Sequence, residues 1–262
     1  MFEELLEDTA QKNGLREVNT YLKLAAGLGG ILLCLLSTSF IAPLFIALIL
    51  SGAILLLAKV DVRVYAELFI VPFWFALLSV AGIILISGGH DIFWHYDLFS
   101  WFSVSITRES INYGVYIFCR VIGGMTALCF IALTTPMTDL FIVMQRCRIP
   151  DVVIDLTMII YRTIFILLDQ IVQIYHAQVM RLGYSTWRES IHSFAYLCGA
   201  AFIASWDSGD DLIRAMDARC YDGKFALLGE SRPVEQLPLM AVLAFLSLSA
   251  VFVIFSAGYT II

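Results

Sequence analysis

The chain alternates between long stretches without a charged side chain and shorter stretches where charge returns. From Leu24 to Ala58 no residue is charged. Read as one helix, that run would reach about 52 Å at roughly 1.5 Å per residue, against a hydrocarbon layer of about 30 Å. Ser37, Thr38, Ser39 and Pro43 near its middle are turn residues. The pattern therefore predicts two short spans, near 24–40 and 43–59, joined by a tight turn. Lys59, Asp61 and Arg63 form a charged loop, and an uncharged third span runs from Leu68 to Gly89. A fourth span is expected at about 113–135, with Arg120 inside it, and a last one at about 239–259. Gly27, Gly29 and Gly30 sit in an apolar run with no strand before them, so close helix packing is preferred to a phosphate loop.

The remaining stretches are of three kinds. Residues 1–23 read as a short amphipathic helix at the membrane surface, broken near Asn13–Gly14. Residues 90–112 read as an aromatic loop whose Trp94, Tyr96 and Trp101 suit a headgroup interface. Residues 136–235 carry charge again, but keep apolar runs at 152–168 and 190–206, as expected of long amphipathic helices along or dipping into the surface.

Composition agrees with this pattern. The chain is 60 % hydrophobic and 15 % charged, where a soluble domain is about 45–50 % apolar and about 25 % charged. The expected fold is an all-α integral membrane protein of about five transmembrane helices plus a cytoplasmic helical coupling region. Its parts would be a four-span bundle over 1–135, coupling helices over 136–235 and a last span over 236–262. Basic residues set the orientation. With the N-terminus inside and five spans, the cytoplasmic side holds Lys12, Arg16, Lys23, Lys59, Arg63, Arg146, Arg148, Arg181, Arg188, Arg214, Arg219, Lys224 and Arg232. Only Arg108 falls outside, and the C-terminus is outside too.

Charge and motif exclude several classes. The net charge of −6 and the absence of a basic block argue against nucleic acid as a partner. The six cysteines form no CxxC pair and read as small buried hydrophobes. The N-terminal stretch has no basic region followed by an apolar one, so no cleaved signal is expected. Gly223–Lys224 lacks the upstream glycine and the hydroxyl residue of a nucleotide-binding P-loop, so no ATP site is expected. No cofactor is indicated. His90, Asp91, His95 and Asp97 are conceivable ligands for a transition metal, but an ordinary interfacial loop is the preferred reading.

The stretch 177–223 carries more information. Ser205 or Ser208 could cap a helix, with Asp210 and Asp211 in its first turn and an Asp210–Arg214 pair along it. Arg219 would lie in its last turn, and Gly223 would end it. Upstream, Ile174, Ala177 and Met180 precede Arg181, and Gly183 follows as a stop. Two helices would thus end alike, each with an arginine beside small residues. Either the arginines project toward a partner or they complement their own helix dipoles.

NGLREVNTYLKL (Asn13–Leu24) and IRAMDARCYDG (Ile213–Gly223) resemble the T component of energy-coupling factor transporters, in particular the CbiQ-like permeases of cobalt and nickel uptake systems. The family's second Ala-Arg-Gly signature is matched at Ala218 and Arg219, with Cys220 in place of glycine; the first is matched only at Arg181. The resemblance implies a non-catalytic scaffold. It would join two cytoplasmic ABC ATPase subunits to a membrane substrate-capture subunit, with room for a small accessory membrane subunit. Arg181 and Arg219 would dock on the ATPases. Gly183, Ala218 and Cys220 would permit close approach, and Arg214, Asp217 and Gly223 would support the second tip. The metal would be held by the capture subunit. Two other readings are a membrane-embedded lipid-modifying transferase using Arg120, Asp155 and Arg162, and a stand-alone metal permease using the His90–Asp97 cluster.

Overall fold

The computed structural model describes residues 7, 9–86, 92–99, 102–221 and 235–256. In chain order the helices are α1 (Thr20–Leu36), α2 (Ile41–Gly52), α3 (Val62–Ile86), α4 (Arg108–Thr134), α5 (Met137–Arg146), α6 (Asp151–Met180), α7 (Trp187–Ala218) and α8 (Gln236–Phe255). A π-helical turn, Ala53–Leu57, continues α2. Two strands, β1 (Ile92–Phe99) and β2 (Phe102–Thr107), lie between α3 and α4. The chain forms two compact units, Met1–Leu140 with Gly229–Ile262, and Phe141–Leu228.

The first unit holds the apolar helices. Among the described residues, Val62–Ile84, Glu109–Thr134 and Gln236–Phe255 are long and apolar enough to cross a membrane, and Thr20–Leu36 and Ile41–Leu57 are shorter apolar helices. These five overlap the five spans expected from the sequence. The chain is a multi-pass, helical membrane protein. Ser37 stops α1: its hydroxyl donates to Ser39 O at 2.8 Å and accepts from the Ser39 N–H. Pro43 lies in the first turn of α2, where its missing N–H has no intrahelical partner to lose.

Helix α1 lies between α4 and α8 because two of its glycines let it. A Cβ on Gly27 would meet Ile131 Cγ1 at 2.3 Å, and one on Gly29 would meet Leu246 Cδ2 at 2.6 Å. Small residues at such crossings bring backbones close where no water drives association. Cys34, Ile46, Leu50, Ala127 and Leu133 fill the core between α1, α2 and α4. Phe45 stacks on Phe252 at 4.3 Å between ring centroids, tying α8 to α2.

One end of this unit is clamped by the N-terminal segment. Residues 9–12 are helical, and the chain then turns through 13–18. Asn13, buried, donates from Nδ2 to Ala10 O at 2.8 Å, Leu133 O at 3.1 Å and Thr134 O at 3.2 Å. Lys23 Nζ donates to Thr134 O at 3.0 Å. The last carbonyls of α4 therefore gain both an amide and a cation, the charge that suits a helix C-terminus. Gly14 donates its N–H to Ala58 O at 2.9 Å, and a Cβ there would lie 2.5 Å from Leu57 O. Asn19 caps α1 through the Tyr21 N–H at 2.9 Å.

The segment expected as an aromatic loop is instead largely an antiparallel hairpin. Ile92 pairs with Thr107, His95 with Ser105, Tyr96 with Val104 and Asp97 with Ser103. His90, Asp91 and Trp101 lie outside the described residues.

The second unit is built on α6 and α7, two long helices. Thr186 caps α7 by accepting from the Glu189 N–H. Thr186 and Glu189 have the spacing of a capping box. This corrects the expectation of a helix beginning at Ser205 or Ser208: α7 runs unbroken from Trp187 to Ala218, with both serines inside it. Neither α6 nor α7 meets the span criteria that the three long apolar helices meet. Asp155 is buried, whereas much of the apolar surface of both helices is exposed, including Ile160, Ile164, Phe194, Phe202 and Trp206.

Candidate functional site

Helices α6 and α7 end by the same backbone device. At α6 the C-cap is Arg181 (φ −93°, ψ 13°), and at α7 it is Arg219 (φ −97°, ψ 10°). The next residue in each case is left-handed, Leu182 at φ 58° and Cys220 at φ 54°. Leu182 N–H donates to Val179 O at 3.0 Å and Gly183 N–H to Gln178 O at 2.9 Å. Cys220 N–H donates to Asp217 O at 3.1 Å and Tyr221 N–H to Met216 O at 3.1 Å. Both are Schellman motifs, with the arginine at the same station.

The motif explains what a glycine after the arginine would do. Its place is the left-handed one, which costs a residue with a Cβ about 1–2 kcal/mol and glycine almost nothing. Leu182 and Cys220 stand there in this chain. Gly183, expected as the stop, is one residue further on and serves a different need. A Cβ on it would lie 2.6 Å from Ser193 Oγ and 3.1 Å from Gln178 O. Ser193 Oγ donates to Gly183 O at 2.8 Å through that gap. Gly223, expected to end α7, lies outside the described residues; the helix stops earlier, at Ala218.

Around Arg181 the chain forms a braced elbow. Gln178 Nε2 donates to Ser193 O at 3.1 Å, and Tyr184 OH donates to Gln178 Oε1 at 2.8 Å. The Tyr175 and Tyr184 rings lie 5.1 Å apart. The Ser185 hydroxyl donates to the Glu189 carboxylate. That bond first, and the Thr186 hydroxyl second, hold the Glu189 carboxyl below the usual glutamate range. Met180, Arg181, Leu182 and Trp187 are exposed, so the elbow offers a cation set among apolar side chains.

The second tip is plainer. Asp217, Ala218, Arg219 and Cys220 are all exposed. Arg214 pairs with Asp211 at 3.9 Å, not with Asp210 as expected. One face of α7 above the tip carries a shallow surface groove of about 330 Å³, lined by Phe202, Ser205, Trp206, Gly209, Asp210 and Ile213.

Of the other sequence candidates, His90 and Asp91 lie outside the described residues. His95 and Asp97 sit on β1. Among the described residues no group of three or more His, Cys, Asp or Glu side chains is placed to hold a metal ion. The sequence reading places a break at Asn13–Gly14 and a resemblance over Asn13–Leu24, but gives Asn13 and Lys23 no role as a clamp. Its signals are a lysine at the very edge of an uncharged run and an Asn-Gly pair ten residues before it.

These features define a polytopic membrane protein with a charged helical unit whose two longest helices end on arginine. A family model described as a cobalt transport protein, CbiQ, matches residues 11–227. A putative fused cobalt transport protein, CbiMQ, of Methanocorpusculum labreanum is 39 % identical over 94 % of this chain, which spans 41 % of that fused protein. An uncharacterised protein of Methanocaldococcus jannaschii is 34 % identical over 99 % of this chain and 95 % of its own length. The energy-coupling factor transporter transmembrane protein EcfT of Limosilactobacillus fermentum is 26 % identical over 65 % of this chain and 66 % of its own. The chain belongs to the CbiQ cobalt transport family, and is a CbiQ-like transmembrane component of the energy-coupling factor type.

Proposed function

We propose that this chain is the coupling subunit of an ATP-driven importer, non-catalytic by itself. The charged helical unit would face the cytoplasm, with the N-terminus inside and the C-terminus outside, as the basic residues favour. Arg181 and Arg219 dock into two ATPase subunits. ATP-driven movement of those subunits displaces the tips, and α6 and α7 carry the displacement to a membrane subunit that captures substrate. The names of the relatives favour cobalt as that substrate, with nickel the nearest alternative in chemistry.

The observation that carries this reading is the shared station of the two arginines. A single helix ending on arginine is explained by its own dipole. Two exposed arginines, each at the C-cap of a Schellman motif, suit one repeated groove on a pair of similar partners. Arginine fits such a role because its planar fork presents five donors in fixed geometry.

The test is affinity purification of the chain from native membranes, with and without Arg181→Glu and Arg219→Glu together. ATPase subunits and a multi-span membrane subunit are expected with the wild type. The double variant is expected to lose the ATPases and keep the membrane subunit. Equal recovery of ATPases by both would refute tip docking.

A further inference from the structure

Arg120 lies well inside α4, eleven residues from Glu109 and fourteen from Thr134, the ends of that candidate span. At roughly 1.5 Å per residue it is about 16 Å from one end and about 21 Å from the other. A guanidinium at such depth is costly unless something polar meets it. Part of the answer is α1. Its 17 residues reach only about 25 Å, short of a hydrocarbon layer of about 30 Å. Its last carbonyls therefore end inside the bilayer, beside α4. Arg120 Nε donates to Cys34 O at 3.1 Å, and Tyr116 OH, one helical turn away, donates to Ser37 O at 2.7 Å. The guanidinium carbon sits 5.5 Å from the Tyr116 ring centroid.

These contacts satisfy α1 but not Arg120. A guanidinium has five N–H donors, and the bond to Cys34 uses one. Among the described residues no carboxylate pairs with it. In the same turn Ser39 Oγ is buried without a hydrogen-bond partner. Leu35, Leu36 and Val121, the sequence neighbours of Cys34 and Arg120, are exposed, as side chains against acyl chains would be. The site thus combines a part-buried cation with free donors, a polar turn and a lipid-facing rim.

We propose that Arg120 holds the phosphate of a phospholipid headgroup drawn into the bilayer beside the α1–α2 turn. The phosphodiester accepts from the terminal guanidinium nitrogens, and the short α1–α2 pair makes the membrane locally thin enough for it to arrive. A charge-assisted hydrogen bond from a cation to a phosphate oxygen is roughly twice as strong as a neutral one. This assignment needs only that α1, α2 and α4 lie in the membrane; it does not rest on the coupling role.

Native mass spectrometry of the full chain in mild detergent, titrated with phosphatidylglycerol, tests it. Arg120→Gln is expected to weaken retention of one lipid about tenfold, the loss of roughly one charge-assisted bond. Arg120→Lys keeps the charge and loses the Nε bond to Cys34, so it is expected to retain most of the lipid while sharing the thermal destabilisation of Arg120→Gln. Inorganic phosphate at millimolar concentration is expected not to displace the lipid. Equal retention by wild type and Arg120→Gln would overturn the proposal. So would loss of the lipid in Arg120→Lys as severe as in Arg120→Gln, which would make Arg120 a helix cap only. Displacement by inorganic phosphate would reassign the site to a soluble anion.

Discussion

The two arginine tips share a backbone motif and differ in what stands behind it. Arg181 sits on an elbow braced by α7, through Gln178, Tyr184, Ser193 and the gap at Gly183. Arg219 is at the end of a helix whose nearby ion pair, Arg214 with Asp211, is largely exposed on both sides. Local hydrogen bonds alone can place a C-cap arginine; only tertiary contacts can stop it from moving with the chain that follows. A braced tip gives up less freedom on docking. The difference therefore predicts that the first tip acts as a fixed contact and the second as the one that orders on binding.

The largest separation of the two should come from Gly183→Val. The added branches meet Ser193 and Gln178 O, and the Ser193 bond to Gly183 O is lost. Overpacking of this kind costs about 1–3 kcal/mol. Amide exchange of the intact chain should speed at residues 181–190 and stay unchanged at 214–221. Equal change at both ends would mean the brace is not local.

A smaller effect of opposite sign is expected from Cys220→Gly. Cys220 is left-handed at φ 54°, and glycine removes the Cβ penalty of about 1–2 kcal/mol there while adding about 0.5–1 kcal/mol of chain entropy to the unfolded state. The net gain should be about 1 kcal/mol or less, read as slower exchange of the Tyr221 amide. Leu182→Gly should gain no more, although the bracing of the elbow could absorb part of it. A loss of stability in Cys220→Gly would show that the side chain, not the backbone, matters at that place.

Why the sequence spoke clearly about some elements and not others follows from the range of each signal. The spans rest on long apolar runs, uncharged except for Arg120 in the fourth, and five apolar helices lie where those runs lie. The α1–α2 break was legible for the same reason, since serines and an early proline sit where the length runs out. The hairpin at 92–107 was less so. Its alternation, with Trp94 and Tyr96 on one parity and His95 and Asp97 on the other, is a period-two signal that a reading based on aromatic anchors passes over. The supposed start of a helix at Ser205–Asp211 carries real capping residues, but a helix already under way gains a bond for each residue added and does not need a new nucleus. The stations of Arg181 and Arg219 could be placed to within a residue. Which residue would turn left-handed could not, because Gly183 looks like a stop and is used instead to admit Ser193.

The brace also gives the first tip a pH dependence. Ser185 and Thr186 hold the Glu189 carboxyl below its ordinary range. A depressed carboxyl adds stability that is present above the unfolded value, about 4.3, and is lost as pH falls through the lower folded value. The start of α7 should therefore loosen in acid, read as faster amide exchange there, and Glu189→Gln should abolish that loosening. Because Glu189 is fully exposed, the effect belongs to the elbow and not to global stability.

The smallest effect expected is at Asp211→Asn. The pair it breaks spans 3.9 Å with both side chains about four-fifths exposed. Exposed pairs of this kind contribute about 0.2–1 kcal/mol at most, and salt screens them. If the second tip is held by its helix alone, removing this pair should change neither amide exchange at Met216–Tyr221 nor recovery of ATPase subunits. A clear loss of either would mean that Arg214 must be held in place for Arg219 to act, and the second tip would then be braced as well, by charge where the first is braced by packing.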